Sequence, residues 1–423
     1  MIREVIHRLW RWLPYGPRRK LLFGLAQLLA PRPSASIPGH SPTIKLIGPF
    51  STLSGLGEAA RNCAEAITVG SALYGNNVSP LRDIGTLRIT SLDISRRLNQ
   101  DSDFSAPSFD QTVPIGIDHP RFNLAIVHAN GPLMPLALMG LGEQIRDHRV
   151  VGRWAWELPK LPEEWRIGLR YVDEIWALSS FTAQAIKNLA TCPVRVMPIP
   201  IRMPERNRLG PSPWQKPAGC FAVFTAFNMA SSFARKNPLA AIEAFQLAFE
   251  RRPDVRLVIK TSNLASDPES ADLFLRIVGG DERIVHIDQP LDRRAIYALI
   301  RECDVTLSLH RAEGFGMPLA ESMLLGRAVV ATGWSGNLDF MNSENSLLVR
   351  YKLVPADAPQ RTYNFPETVW ADPDVEHAAI QLRRIFLEPQ TKSRLEARAT
   401  HDVAIHCSPN AHWRRVLEAM RAE

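Results

Sequence analysis

Residues 310–341 determine the architecture of this 423-residue chain, and they read HRAEGFGMPLAESMLLGRAVVATGWSGNLDFM. Short apolar runs rich in β-branched residues lie before this stretch, at 304–309 (DVTLSL), and within it, at 328–332 (AVVAT), and each predicts a buried strand. Gly314 and Gly316 interrupt the chain between these runs, and the segment after them has the proline start and the glycine stop of a helix. The stretch therefore predicts a strand, a glycine loop, a helix and a second strand.

The glycine loop and the helix together predict a site for an anion. The glycines allow a ligand to approach the backbone, and the helix that begins near Pro318 directs free N–H groups and its positive dipole end to the same place. Glu313 and Glu321 flank this site. Because carboxylates repel a phosphate, we expect them to accept hydrogen bonds from sugar hydroxyls, as an acidic residue does for ribose in dinucleotide-binding folds. The pattern favours a nucleotide sugar; the alternative is an ordinary strand–helix–strand unit whose glycines serve only packing.

The spacing Glu-x7-Glu in EGFGMPLAESM, followed by GRAVVAT and SGN, resembles the donor-site signature of the retaining glycosyltransferases of family 4, the glycosyl transferases group 1. The resemblance covers roughly residues 42–421 and is strongest at 151–181 and 224–376. It implies the GT-B fold, an α/β architecture in which two Rossmann-like, doubly wound domains face each other across a cleft. It also implies a metal-independent hexosyltransferase without a cofactor, whose donor substrate is a nucleotide sugar, GDP-mannose or a UDP-sugar.

The resemblance further implies roles for individual residues. Those with a catalytic role would be His128, Arg235, Lys236 and Glu313. Those that contact the donor would be Gly55, Gly57, His310, Gly314, Phe315, Gly316, Met317, Pro318, Leu319 and Glu321. The implied reaction retains the anomeric configuration by attack on the same face, and a donor phosphate oxygen takes the proton of the acceptor. The implied acceptor is a saccharide, lipid-linked, in bacterial surface polysaccharide synthesis. Two alternatives share the fold: a non-catalytic GT-B partner subunit and a nucleotide-sugar epimerase.

The basic pair and the histidine also have interpretations that come from their surroundings. Arg235 and Lys236 precede an amphipathic helix, where cations oppose the helix dipole unless they face a polyphosphate. His128 follows the predicted strand FNLAIV, and the carboxyl ends of parallel strands are where open sheets bind ligands. Its alternative is a loop histidine bonded to backbone. Arg153 and Glu157, in the WAWE segment, are candidate groups on the acceptor side.

A second glycine loop follows the first predicted strand, TIKLIGPF, and its Gly55 and Gly57 are expected either to approach the donor diphosphate or to form a tight turn. Residues 84–120 are polar and show no strand pattern. They include Asp101-Ser102-Asp103, a D-x-D that binds a metal in another class of glycosyltransferases but is expected here to be a solvated loop. No other His, Cys or carboxylate cluster has ligand spacing, so no metal is expected.

Length and proline content predict the domain boundaries, since 423 residues exceed what one core usually serves. We expect a basic amphipathic leader at 1–41, a Rossmann-like acceptor domain at 42–200, a linker at 201–218 and a Rossmann-like donor domain at 219–390. The remaining residues, 391–423, are expected to form helices that cross back to the first domain.

The leader carries most of the formal net charge of +7, because residues 1–33 contain seven Lys or Arg residues and one Glu. The basic excess is confined to one terminus and no nucleic-acid motif accompanies it, which excludes nucleic acid as a partner. Tryptophans between the arginines and the run LLFGLAQLLA, too short to span a bilayer, favour peripheral contact with an anionic membrane. The alternatives are a disordered basic leader and a signal peptide. Five cysteines without C-x-x-C spacing favour a cytoplasmic location, with the membrane contact at the inner face.

Overall fold

The computed structural model describes residues 15–34, 42–76, 83–98, 104–116, 123–202, 209–358 and 363–421. Asp101 and Asp103, the predicted solvated D-x-D, lie outside the described residues. None of the helices in the described ranges is both long enough and apolar enough to cross a membrane.

Seven strands form the first sheet. They are β1 (Thr43–Gly48), β2 (Asp83–Asp93), β3 (Gln111–Gly116), β4 (Asn123–Val127), β5 (His148–Trp154), β6 (Glu174–Ala177) and β7 (Val194–Val196). Their order is β3-β2-β1-β4-β5-β6-β7, and every neighbouring pair is parallel except β2 with β3. Strands such as β4 and β6 are buried along nearly their whole length, as strands covered on both faces are.

Six parallel strands form the second sheet. They are β8 (Phe221–Asn228), β9 (Val255–Ser262), β10 (Ile284–Ile287), β11 (Val305–Ser308), β12 (Ala328–Thr332) and β13 (Leu347–Val349). Their order is β10-β9-β8-β11-β12-β13. A separate antiparallel pair, β14 (Tyr351–Pro355) with β15 (Val369–Pro373), follows.

Twelve α-helices lie in the described ranges. They are α1 (Tyr15–Leu29), α2 (Gly55–Asn76), α3 (Met134–Leu138), α4 (Ser180–Lys187), α5 (Phe233–Lys236), α6 (Pro238–Ala248), α7 (Pro268–Val278), α8 (Arg293–Glu302), α9 (Met317–Leu324), α10 (Val375–Leu387), α11 (Pro389–Cys407) and α12 (Pro409–Arg421). In each sheet the strand order reverses direction beside the first strand, between β1 and β4 and between β8 and β11. Open parallel sheets bind ligands at the carboxyl ends of the strands next to such a reversal. The α/β class with two doubly wound units, predicted from the sequence, is confirmed.

The prediction for residues 84–120 is wrong, because this region contributes β2 and β3. In β2 the side chains of Leu87 and Ile89 are fully buried, whereas Arg88 between them is exposed. This alternation is the pattern of a half-buried strand near the sheet edge, and the polar residues of the exposed face concealed it.

The C-terminal helices contact both units. Helix α11 packs on α9 of the second unit, and α12 packs on α2 of the first. The packing of α12 is close, since a Cβ atom on Gly70 would lie 2.5 Å from the Cβ of Trp413. The backbone N–H of Ile201, in the connection between the sheets, donates to the carbonyl of Cys407 at the end of α11 (2.7 Å).

Helix α1 is docked on the first unit. Its Ala26 is fully buried, and the Tyr171 hydroxyl donates to the carbonyl of Gln27 (2.9 Å). Ala30, which follows the helix, belongs to the core cluster of the first sheet. The alternative of a disordered leader is therefore wrong for residues 15–30, which form a structured part of the first unit.

Candidate active site

The predicted glycine loop borders a pocket at the carboxyl ends of β8 and β11. Residues from both strands form its floor, and Lys236, Glu313, Gly316, Pro318 and Leu319 line its rim. This is the edge where the strand order reverses, the ordinary place for a ligand in an open parallel sheet. The structure therefore brings five of the sequence-predicted residues together around one opening.

Glu313 is the centre of charge in this pocket. Its carboxylate accepts a hydrogen bond from Lys236 Nζ and lies 3.5 Å from Arg235 Nη1. Burial alone would raise the pKa of Glu313, but the charges of Lys236, Arg235 and His310 outweigh it and lower the pKa to about 2. The Glu313 N–H donates to Ser335 Oγ (2.8 Å), which fixes the backbone of the loop. Glu313 is thus an ionised hydrogen-bond acceptor at neutral pH.

Arg235 and Lys236 occupy different environments. Arg235 is only 1% exposed, and its guanidinium donates to the carbonyl of Ala312 (2.8 Å) and to Ser231 Oγ (2.7 Å). It therefore lies behind Glu313, whereas Lys236 lines the pocket. Burial lowers the pKa of Lys236. Glu313 raises this pKa and Arg235 lowers it, and the net change is a decrease. Lys236 is the cation of this pair that can contact a ligand directly.

The prediction that Arg235 and Lys236 oppose a helix dipole is wrong. Arg235 and Lys236 end the short helix α5, and Asn237, with a φ of 52°, separates it from α6. Cations at the end of a helix are favoured by its dipole, so no penalty has to be offset by a polyphosphate. What makes the pair unusual is its burial beside Glu313.

Glu321 is buried on α9, with an exposure of 7%. It accepts a hydrogen bond from the Tyr297 hydroxyl (3.1 Å) and lies 3.8 Å from Arg293 Nη2. Burial raises the pKa of Glu321. Arg293 and the Tyr297 hydroxyl lower this pKa and Glu58 raises it, so that it reaches about 7. The two predicted acids therefore differ, since the surroundings lower the pKa of Glu313 and raise the pKa of Glu321.

Gly314 meets the first unit of the chain. A Cβ atom there would lie 2.9 Å from the carbonyl oxygen of Trp156. The Gly314 carbonyl accepts hydrogen bonds from Ser179 Oγ (2.6 Å) and Thr182 Oγ1 (3.2 Å), both on the first unit. Packing between the two units therefore explains why residue 314 has no side chain. Packing is the alternative that the sequence left open for Gly314. Gly316, with a φ of 89°, needs its glycine for backbone conformation.

The two glycines of the first loop also differ. A Cβ atom on Gly57 would clash with Thr52 and with the carbonyl of Pro49 (2.8 Å), so Gly57 forms the tight turn that was the alternative. A Cβ atom on Gly55 would face open space. Gly55 alone of the pair is placed where a ligand can approach.

The two predicted histidines are both buried. His310 Nδ1 lies 3.0 Å from Ser308 Oγ, and its Nε2 lies 3.2 Å from Asn337 Oδ1. His128 follows β4 and is 1% exposed, with neither ring nitrogen hydrogen-bonded to any described residue. Burial and the nearby Arg153 hold the pKa of His128 well below its usual value. His128 is neutral, and the alternative of a backbone-bonded loop histidine is wrong.

The remaining predicted residues surround the loop. The Phe315 ring packs on Phe340, with 5.2 Å between ring centroids, and Met317 Sδ accepts from Asn62 Nδ2 (3.8 Å) of α2. Arg153 does not face the cleft, because it is 1% exposed and donates to the carbonyls of Met197 and Pro198. The part of the chain that the structure describes contains no group of three or more His, Cys, Asp or Glu side chains arranged to hold a metal ion.

Comparison with known proteins identifies the second unit. Residues 223–360 match the sequence model of the family described as glycosyl transferases group 1. This range holds the pocket, Lys236, Glu313 and Glu321. Residues 223–360 form a glycosyl transferases group 1 domain. The resemblance of this part of the chain to the glycosyl transferases group 1, and with it the prediction of a glycosyltransferase, is confirmed.

Solved structures share the fold of the whole chain at low sequence identity. A glycosyltransferase from Rickettsia africae has a TM-score of 0.59 and 14% identity, over 90% of this chain and 98% of that chain. HepE of Anabaena, in complex with UDP and glucose, has a TM-score of 0.57 and 14% identity, over 90% of this chain and 99% of that chain. These likenesses confirm the GT-B fold.

TarM of S. aureus, in complex with fondaparinux, α-GlcNAc-glycerol and UDP, has a TM-score of 0.52 and 11% identity. The match covers 71% of this chain, which spans only 55% of the length of TarM. No curated protein sequence matches the chain significantly.

The second unit contacts the first unit through Tyr363, a residue that the sequence did not identify. The Tyr363 hydroxyl donates to Glu157 Oε2 (3.2 Å), and Glu157 Oε1 lies 4.0 Å from Arg235 Nη2. The Tyr363 ring lies 5.7 Å from the Arg235 guanidinium. Tyr363 lies between β14 and β15, in a segment without periodicity, so no sequence signal pointed to it. Glu157, a candidate acceptor-side group, is thereby placed beside the basic pair.

Proposed function

We propose that the chain is a retaining glycosyltransferase of family 4 that transfers a hexose from a nucleotide sugar to a saccharide acceptor. The observation that supports this most is the ion pair of Lys236 and Glu313 in the pocket at the ends of β8 and β11, with Glu321 on the helix that follows. The domain at 219–390 would hold the donor, and the domain at 42–200 would hold the acceptor. The acceptor would be lipid-linked and belong to bacterial surface polysaccharide synthesis.

The donor is a UDP-sugar or GDP-mannose, and UDP-glucose is the first to test. HepE, which matches this chain over nearly its whole length, is seen in complexes with UDP-glucose and with UDP and glucose. The family model and the glycine-loop pocket are compatible with either nucleotide.

The charges of the pocket suit transfer with retention. Lys236 Nζ has three donors, so it can keep Glu313 and also contact the leaving diphosphate. In the transfer the bond from the sugar C1 to the phosphate oxygen breaks, and a bond from C1 to the acceptor oxygen forms on the same face. The acceptor proton passes to the leaving phosphate oxygen. Glu313, which is ionised, would accept hydrogen bonds from the hydroxyls of the transferred sugar.

Substitution of Lys236 tests this role. We expect Lys236→Ala to lower turnover of UDP-glucose by about 10²-fold or more, a far larger effect than its effect on stability, because a preorganised charge acts mainly on the leaving group. The measurement is release of UDP in the presence of a lipid-linked saccharide fraction. Lys352→Ala, which removes an exposed lysine, is the matched control. Equal turnover by the Lys236 variant and the wild type would contradict the proposal.

The same assay separates the alternatives. A non-catalytic partner subunit would bind UDP-glucose and release no UDP, and an epimerase would convert it to an epimeric free nucleotide sugar. Either result replaces the proposed transfer.

The proposed transfer needs no metal ion, because Lys236 and the N-terminus of α9 would neutralise the diphosphate. We therefore expect turnover to persist in EDTA. Loss of turnover on chelation, with recovery after addition of Mg²⁺ or Mn²⁺, would show that a metal takes part.

The first unit also supports peripheral contact with an anionic membrane at the cytoplasmic face. Helix α1 exposes four leucines, whose exposures are 49% for Leu21, 42% for Leu25, 82% for Leu28 and 62% for Leu29. Their spacing places them along one stripe of the helix, and the buried Ala26 lies to one side of it. The sequence places Arg18, Arg19 and Lys20 directly before this stripe. A basic segment beside exposed leucines is the pattern of a helix that lies on an anionic lipid surface.

A further inference from the structure

One arginine of the donor domain contacts both domains beside Glu321. Arg293 is the first residue of α8, and its Nη1 lies 3.0 Å from Glu58 Oε1 of α2 and donates to Asn62 Oδ1 of the same helix. Its Nε donates to the Tyr297 hydroxyl (2.8 Å). Its Nη2 lies 3.8 Å from Glu321 Oε1 and is buried, with no hydrogen-bond partner among the described residues. One side chain therefore joins α2, α8 and α9, and it keeps one donor unused on the side of Glu321.

The contacts continue from α2 into the first glycine loop. Glu58 also accepts a hydrogen bond from Arg61 Nη2 (2.6 Å). Arg61 Nη1 donates to the carbonyls of Phe50 (2.9 Å) and Thr52 (2.6 Å). A continuous series of polar contacts thus runs from Glu321, through Arg293 and Glu58, to the backbone that precedes Gly55.

Arg293 is shared unequally between two acids. Its guanidinium lies 3.0 Å from Glu58 Oε1 and 3.8 Å from Glu321 Oε1, so the contact with Glu58 is the direct one. The groups that face Glu321 are Arg293 and Tyr297 of α8 and Glu58 of α2. Burial and Glu58 raise the pKa of Glu321, whereas Arg293 and the Tyr297 hydroxyl lower it. Any ligand that favours the ionised form of Glu321 changes how strongly this carboxylate attracts Arg293.

We propose that Arg293 is a positioning residue that couples donor binding at Glu321 to the position of α2 and its glycine loop in the first domain. The inference rests on the proposed function, in which Glu321 accepts hydrogen bonds from the ribose of the donor. Ribose hydroxyls favour the ionised carboxylate, and the unused Nη2 of Arg293 is the nearest donor that can move to it. Because Nη1 of the same guanidinium holds Glu58 and Asn62, this movement draws α2 toward the donor domain.

The first test measures UDP binding by calorimetry between pH 6 and pH 8. Wild-type affinity should decrease as the pH falls through the pKa of Glu321, because a protonated carboxyl accepts ribose hydroxyls poorly. Arg293→Gln should weaken binding by about tenfold at pH 7 and move the pH midpoint upward, since Arg293 lowers the pKa of Glu321. Arg293→Lys should restore part of the midpoint shift. Arg276→Gln, at an exposed position of α7, is the matched control and should behave as the wild type.

The second test is specific to coupling between the domains. UDP should slow amide hydrogen exchange at residues 50–57 in the wild type, although the ligand binds the other domain. Arg293→Gln should remove this protection at saturating UDP. Glu58→Gln should remove this protection as well, while the contacts within the donor domain stay intact. The test therefore does not depend on the folding of a single variant.

The outcomes separate the inference from the proposed function. Equal protection of residues 50–57 by UDP in the wild type and both variants would overturn the coupling. A folded Glu321→Gln variant with unchanged UDP affinity and unchanged pH dependence would instead contradict the assignment of Glu321 to the donor.

Discussion

Glu313 and Glu321 belong to one motif, yet their surroundings give them opposite protonation behaviour. Burial raises the pKa of both carboxyls. Glu313 has Lys236 and Arg235 within ion-pair distance, which lowers its pKa to about 2. Glu321 lies 3.8 Å from Arg293, which lowers its pKa less than burial and Glu58 raise it, and the pKa reaches about 7. The difference comes from side chains outside the motif, so the sequence spacing alone could not reveal it.

A buried acid with a raised pKa lowers the stability of the fold when it is ionised. The pKa of Glu321 is raised from 4.5 to about 7, so the stability due to its protonated form is complete below pH 4.5 and is lost as the pH rises through 7. We expect Glu321→Gln to stabilise the protein by about 1–3 kcal/mol at pH 8 and to have little effect at pH 5. Thermal unfolding at both pH values measures this.

The control for this prediction is Glu376→Gln, which removes an exposed carboxylate from α10. It should leave the melting temperature unchanged at both pH values. A Glu321→Gln variant that is less stable than the wild type at pH 8 would show that its hydrogen bond with Tyr297 outweighs the cost of burying the charge.

At the scale of the element, α1 is the helix whose outer face suits a lipid surface. Replacing Leu28 and Leu29 by serine should weaken sedimentation with phosphatidylglycerol vesicles by about tenfold or more, because each buried leucine contributes about 1.5–3 kcal/mol. UDP binding should not change, since the substitutions leave the buried Ala26 contact in place. High salt should weaken the vesicle binding of the wild type.

The matched control for α1 is Leu387→Ser, because Leu387 is 69% exposed at the end of α10, far along the chain from α1. It should bind vesicles as the wild type does. Equal vesicle binding by the Leu28/Leu29 variant would contradict membrane contact through this face. Deletion of the leader is a poorer test, because Ala30 belongs to the core of the first sheet.

Local sequence patterns predicted the helix and the strand around the glycine loop, but not the contacts between the domains. Helix α9 begins at Met317 and β12 spans Ala328–Thr332, as the glycine, proline and apolar pattern predicted. These signals are local, because each depends on residues within one or two turns. The roles of Arg293 and Tyr363 were missed, because each depends on a partner in the other domain. Contacts such as that of Gly314 with Trp156 leave no periodic pattern in the chain.

In the whole molecule, the loop that contains Gly314 is part of the contact between the domains. Gly314→Ala would place a methyl group 2.9 Å from the Trp156 carbonyl and disturb the hydrogen bond from Ser179. We expect a loss of stability of about 1–3 kcal/mol and a larger radius of gyration, measured by thermal unfolding and small-angle X-ray scattering. Gly142→Ala is the control, because its added methyl group would have only an ordinary contact, at 3.9 Å. An unchanged radius of gyration would show that the loop yields without moving the domains.

The hydrogen bond between Ile201 and Cys407 has a consequence for how the two domains can move. The connection after β7 and the connection between α11 and α12 both run between the domains, and this bond joins them. Two covalent passages held together at one place form a hinge: they permit rotation about a line through that place and resist sliding or separation of the domains. Contacts far from that line, on the open side of the cleft, travel furthest when the molecule opens. One domain can therefore swing relative to the other without the two domains separating.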